Sequence, residues 1–219
     1  MRAMNRAAKQ LAPSKAKRRT SYSDLSIDAV RKNFQLTIVR TTLFENVTPL
    51  EPSRWLSEML KEGFDVSVIS EKSRSEFIVA PILLHIRELY HGQVSIYSGV
   101  RFDVDPDNGL RGVCDFILSQ GQMLPTVQAP VLVLVEAKKN DIEEGLGQCA
   151  AEMIAAQIFN EREDNAIPAV YGCVTNGESW QFLRLTGKTL EIDQQRYFLA
   201  KLSEVLGILS VIVKSLIRR

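Results

Sequence analysis

Histidine is almost missing from this 219-residue chain: His85 and His91 are the two it has. Neither stands at zinc-ligand spacing from a cysteine, which excludes a zinc finger or a histidine-based zinc centre. Cysteine is equally scarce. Cys114, Cys149 and Cys173 are odd in number, far apart and set in apolar segments. That rules out a disulfide framework and reads as the reduced core residues of a cytoplasmic protein. Long apolar runs are lacking too. The longest near the C-terminus, Val205 to Val213, falls well short of the roughly 20 residues a spanning helix needs, so no membrane role is expected. No apolar stretch follows the N-terminal cations, so a secretory signal is not expected, although an organellar targeting sequence stays compatible with this composition. There is no internal repeat and no long low-complexity linker.

What is present suits one domain with an appended tail. With 45% hydrophobic and 24% charged residues, the chain can bury a sizeable core. The formal charge of +1 conceals an asymmetry. Arg2, Arg6, Lys9, Lys15, Lys17, Arg18 and Arg19 share the opening segment with no acid among them, and the rest of the chain is net acidic. Residues 1–23 are therefore assigned to a basic, flexible tail and 24–219 to a single domain. Lys15, Lys17, Arg18 and Arg19 are candidate phosphate contacts of a nucleic-acid-binding tail. An ordinary solvated tail is the alternative.

Periodicity predicts a helix over Asp24–Phe34, a strand over Gln35–Phe44 and a helix over Pro52–Glu62 with Gly63 just past its end. A short extended segment, Phe64–Ile69, precedes a nearly apolar helix over Ser73–Tyr90, which Pro81 is expected to kink. Strands follow at Val94–Val104, Gly112–Ser119 and Val131–Ala137, the first pair joined through the turn-forming cluster Asp105 to Gly109. This pattern predicts an antiparallel meander. A helix over Ile142–Asn160 then leads to strands Ala169–Thr175 and Trp180–Leu185, linked by Asn176-Gly177. A last helix spans Tyr197–Ile217, which either covers the sheet or joins two subunits as a homodimer. The sum is an α/β chain of the α+β variety: a mixed sheet with a central antiparallel meander, flanked by helices on both faces.

The chemistry concentrates at the ends of two strands. The run VLVLVEAKK, Val131 to Lys139, ends abruptly in Glu136, Ala137 and Lys138. Side chains alternate along a strand, so Glu136 and Lys138 emerge on one side. Asp115 interrupts the apolar run Val113 to Leu118. Neighbouring strands would bring two carboxylates and an ammonium to a single point. Magnesium prefers hard oxygen ligands, so Asp115, Glu136 and the backbone carbonyl of Ala137 are its candidate ligands. Such an ion makes water a usable nucleophile near neutral pH. Lys138, held charged by the two carboxylates, would orient that water and stabilise an anionic transition state. Gln148, on the following helix, would hydrogen-bond the water or a phosphate.

Asp115, then Glu136-Ala137-Lys138, then Gln148 resembles the PD-(D/E)XK superfamily of restriction-endonuclease-like phosphodiesterases, over roughly Glu71 to Leu185. The stretches EAKKNDIEEGLGQCAAEM and VYGCVTNGESWQF are similar to stand-alone relatives of type I restriction nuclease domains. The resemblance implies a restriction-endonuclease-like fold and a magnesium-dependent nuclease acting on DNA, with manganese as a substitute ion. It implies Asp115, Glu136, Lys138 and Gln148 as catalytic residues, and an acid on an early helix, for which Glu76 is the best match.

Each residue also has a plainer reading. Asp115 is explained by an ion pair with Lys138, since an unpaired carboxylate in an apolar strand costs several kcal/mol. Glu76 fits a capping box begun by Ser73, and Gln148 fits a helix surface. Glu152, four residues on, is expected to be solvated, and Glu143 and Glu144 to be first-turn acids favoured by the helix dipole. Trp180 and Phe182 are expected in the core. Functionally, the alternative is a non-catalytic nucleic-acid-binding or regulatory module on the same scaffold. No motor or separate target-recognition domain is visible, so a partner protein supplying recognition is a further expectation. RNA or nucleotide substrates stay open.

Overall fold

The structure is a computed structural model that describes residues 20–66, 69–138 and 141–217. Lys15, Lys17, Arg18 and Arg19 lie outside the described residues. The packed chain already includes part of the segment assigned to the tail. Tyr22–Asp24 form a 3-10 turn, and the Tyr22 ring is buried with its hydroxyl donating to Phe102 O at 2.6 Å.

Eight strands form one mixed sheet in the order β1-β7-β6-β5-β4-β3-β2, with β8 paired to β6. The strands are β1 Thr37–Thr41, β2 Val94–Arg101, β3 Val113–Gln120, β4 Val131–Ala137, β5 Val170–Thr175, β6 Ser179–Thr186, β7 Thr189–Asp193 and β8 Tyr197–Phe198. Strands β2, β3 and β4 make the expected meander, but it occupies one end of the sheet rather than its centre. Helix α5, Ile142–Arg162, carries the chain from β4 to β5, which run parallel as a helical crossover allows.

Helices cover both faces. On one side α1, Ile27–Phe34, and α5 pack with Ile117, Leu134, Val174 and Leu183. On the other, α2 (Arg54–Asp65), α4 (Ala80–Leu89) and α6 (Leu202–Leu216) cover Phe116, Val133, Val135, Cys173 and Phe182. Strand β4 lies between these two cores and every one of its residues is buried, which explains its unbroken apolar run. Trp180 and Phe182 are fully buried, as core residues. Asn160, buried near the end of α5, donates to Val131 O at 2.9 Å and accepts from Val131 N at 2.6 Å, tying that helix to the start of β4. Among the described residues no helix is long and apolar enough to cross a membrane.

Four local expectations need correction. Gly63 lies inside α2, where it is buried: a methyl there would sit 2.7 Å from Phe77 O, so glycine serves close helix packing rather than termination. The single helix around Pro81 divides into α3 (Glu71–Arg74), a π-helical stretch (Ser75–Val79) and α4. Proline cannot donate to the carbonyl four residues back, and the chain widens there instead. Strand β7 was not anticipated; it pairs parallel with β1 and antiparallel with β6. Finally, Tyr197 and Phe198 extend β6 pairing as β8, and α6 starts only at Leu202.

Candidate functional site

The Asp115 carboxylate reaches across from β3 to the end of β4, where its Oδ2 accepts from Ala137 N at 2.8 Å. Glu136, one residue earlier, has 2% side-chain exposure, and its Oε1 accepts from Lys138 Nζ at 2.6 Å. Lys138 Nζ also donates to Gln148 Oε1 at 3.2 Å. The structure therefore brings Asp115, Glu136, Lys138 and Gln148 together. Gln148 is engaged with the strand end rather than spread on an open helix surface.

Two features hold this corner. The main-chain N–H of Lys138 donates to Thr175 O at 2.7 Å, extending the β4–β5 ladder by one bond. Helix α5 then passes close above: a methyl on Gly145 would meet Val174 Cγ1 at 2.5 Å and Lys138 Cγ at 3.1 Å. Glycine at 145 lets the helix lie against the lysine stem.

Glu152 corrects the expectation of a solvated acid. It is 0% exposed, and its Oε1 accepts from Gln148 Nε2 at 3.1 Å. The amide of Gln148 thus bridges Lys138 and Glu152, with oxygen toward the ammonium and nitrogen toward the carboxylate. The signal was present in the sequence. Glu152 interrupts Ala150, Ala151, Met153, Ile154, Ala155 and Ala156, much as Asp115 interrupts its own apolar strand.

For Glu76 the capping reading fails, and its ion-pair partner is a lysine of its own helical run. Glu76 pairs with Lys72 at 3.7 Å on a side chain that is half exposed, and the capping box is formed by Ser70 and Ser73. Glu71, at the start of the same helical run, adds negative potential at Asp115 and Lys138. Glu143 lies in the first turn of α5 as expected, and pairs with Arg196.

Burial dominates the electrostatics. It raises the Asp115 carboxyl above its usual range, with Glu71 adding to the rise and the Ala137 N–H and Lys138 opposing it. Burial also pushes Glu136 well up, reinforced by repulsion from Glu152 and Asp115 and opposed by Lys138. Glu152 is pushed up to about 8, chiefly by burial, with the Gln148 hydrogen bond opposing. For Lys138, burial works against the charge but Glu136, Glu71 and Asp115 outweigh it, so its ammonium is favoured. The Lys138 ammonium faces several desolvated carboxyls, and among the described residues Glu136 Oε2 and Glu152 Oε2 are buried without a hydrogen-bond partner. Such a site calls for protons or a cation.

Among the described residues no three His, Cys, Asp or Glu side chains converge as a metal-ligand set. Magnesium takes one or two carboxylates and keeps several waters, so the Asp115–Glu136 pair meets its needs without a third acid. Glu136 Oε2, buried and without a hydrogen-bond partner among the described residues, is the atom that fits such an ion best. A cleft of about 550 Å3 lined by Tyr97, Phe102, Phe159 and Arg162 shares no residue with this corner. No protein-family model matches the chain, and no curated protein matches it significantly.

Proposed function

We propose that this chain is a magnesium-dependent phosphodiesterase that hydrolyses DNA, built on a restriction-endonuclease-like version of its mixed sheet. The observation that carries the reading is the meeting of Asp115, Glu136 and Lys138 where β3 begins and β4 ends, with the buried Glu136 Oε2 lacking a hydrogen-bond partner among the described residues. Asp115 and Glu136, with the Ala137 carbonyl, would hold the ion, manganese serving in place of magnesium. When bound, it supplies acidification of water and charge neutralisation at phosphorus.

The side chains do the rest. Lys138, favoured in its charged form, holds a water or phosphate oxygen beside the carboxylates and offsets the negative charge that develops during in-line attack. Gln148 fixes the ammonium through its Oε1 and has its own orientation set by Glu152. Three buried free cysteines suit a reducing, cytoplasmic setting.

The test is incubation of the purified chain with linear, supercoiled and single-stranded DNA, with magnesium, manganese or chelator. Metal-dependent cleavage that is lost in Lys138→Ala supports the proposal, and cleavage that survives Lys138→Ala defeats it. A second reading, a nucleic-acid-binding or regulatory module that does not cut, draws on the 2.6 Å Lys138–Glu136 pair, which by itself satisfies one carboxylate oxygen. Calorimetry decides between them: no binding of millimolar magnesium, with or without DNA, favours the module.

A further inference from the structure

The parallel pairs β4–β5 and β1–β7, with β6 antiparallel to both β5 and β7, bring the ends of β4, β5, β7 and β1 to one edge of the sheet. Two arginines stand at that edge beyond the corner just described. Arg40 is the penultimate residue of β1, and Arg196 follows β7. Arg196 Nη2 donates to Glu143 Oε1, and Arg40 Nη2 lies 3.8 Å from the same oxygen.

Arg196 is held in a built setting. Its Nε donates to Gln181 Oε1 at 3.1 Å, and Gln181 is 3% exposed. The Gln181 amide in turn donates to Asp193 O at 2.7 Å and Gln195 O at 3.1 Å. Gln194 N donates to Thr41 O at 2.9 Å, joining this loop to the end of β1 beside Arg40. The segment after β7 is thus fixed to a buried amide on one side and to β1 on the other.

Glu143 lies two residues before Gly145, the residue against which the Lys138 stem packs. The two guanidinium groups therefore lie at the N-terminus of the 21-residue helix α5, at the same end of the sheet as the carboxylate–lysine corner. Two arginines share one carboxylate oxygen, so among the described residues Glu143 matches only part of their charge and of their N–H donors. Arginine forks match phosphate oxygens, and a helix N-terminus favours the same charge.

We propose that Arg40 and Arg196 clamp one backbone phosphate of bound DNA beside the hydrolytic corner, and that Glu143 fills this clamp in the free protein. The clamp rests on the phosphodiesterase reading and names where its polyanionic substrate is gripped. Glu143 is half exposed and so held by a weak surface pair, which a phosphate group with more oxygens displaces.

The test is fluorescence anisotropy of the full chain with a fluorescein-labelled DNA duplex, in calcium to suppress turnover, titrated with salt. Arg40→Gln combined with Arg196→Gln lowers the slope of log affinity against log salt by about 0.9, the loss of one phosphate contact. Glu143→Gln tightens binding about threefold by freeing the arginines. Lys214→Gln, on the last turn of α6, removes one positive charge elsewhere and leaves the slope unchanged.

An unchanged slope in the double variant, or an equal fall in Lys214→Gln, overturns the clamp and leaves the phosphodiesterase proposal standing. Wild-type protein that binds no DNA overturns both. Thermal unfolding checks that each variant folds. If Arg196→Gln does not fold, Arg40→Gln alone decides, since its side chain is 59% exposed on an edge strand.

Discussion

Asp115 holds the main chain of the opposite strand, not only its charged neighbour: its Oδ2 takes the Ala137 N–H at 2.8 Å. The β3–β4 register ends at the pair Phe116 and Val135, so the Asp115 side chain continues the pairing after the backbone ladder stops. The hydrogen bond needs only an accepting oxygen, whereas the proposed metal role needs the charge. That division makes the role of the charge separable from the role of the hydrogen bond.

Asp115→Asn retains an acceptor for Ala137 N while removing the charge. Because burial already disfavours the Asp115 carboxylate, the amide is expected to leave the melting temperature at neutral pH unchanged or slightly raised. Metal-dependent DNA cleavage is expected to fall by about a hundredfold or more, as for loss of a principal electrostatic group. Paired melting curves and cleavage rates check this. A variant that unfolds would show the carboxylate to be structural first.

Glu152 gives a pH signature. Its carboxyl is pushed from 4.5 to about 8, by burial first. Between those values the folded state binds a proton that the unfolded state has released, so stability is fully present below the unfolded value and declines as pH rises toward 8. Asp115 and Glu136 on the facing strands are raised in the same direction. Glu152→Gln keeps an acceptor for Gln148 and removes the titration. Its melting temperature is expected to exceed that of wild type at pH 8.5 and to approach it at pH 4.5, with a flatter profile between. Calorimetric scans across that range measure it; parallel profiles would refute the assignment.

The sequence patterns that report burial were the reliable ones. The unbroken apolar run of β4, the Asn176-Gly177 turn and the long α5 pattern all correspond to elements found. The strand-end acids were legible because a charge inside an apolar strand must find a partner. Glu152 carried the same signal within a helix, but helical amphipathicity suggested a solvated face that α5, buried between β4, β5 and α1, does not have there. The early acid was chosen by likeness to a family pattern, which does not report local helix geometry: the run divides at a π-helical stretch behind a Ser70 cap, and Glu76 pairs with Lys72. Strand β7 is five residues long and owes its place to the long-range parallel pairing with β1, which local alternation does not reveal.

Glu71 and Glu76 can be separated by the acid limb of a cleavage–pH profile. Glu71 raises the Asp115 carboxyl, so Glu71→Gln is expected to move that limb to lower pH. Glu71 is exposed, which limits the accompanying change in maximal rate to roughly a few fold. Glu76→Gln, which breaks only the surface pair with Lys72, is expected to leave the profile in place. Profiles of the two variants under one buffer series decide the matter. A shift in Glu76→Gln with none in Glu71→Gln would restore the sequence-based choice.

Gly145 and Gly147 distinguish packing that positions the site from packing that supports the fold. A methyl at 145 meets Val174 Cγ1 at 2.5 Å and the Lys138 stem at 3.1 and 3.2 Å, whereas a methyl at 147 meets Leu25 O at 2.2 Å. Overpacking of this kind costs about 1–3 kcal/mol in either variant, and more where backbone must move, as at Leu25. Only Gly145→Ala pushes directly on the lysine. It is expected to lower kcat for DNA cleavage at least about tenfold with little change in DNA affinity, because an ångström-scale displacement of a reacting group is enough. Gly147→Ala is expected to lose more stability and less of kcat when assayed well below its melting temperature. Equal losses of kcat in the two variants would mean that Lys138 needs no particular placement, contrary to the role assigned to it.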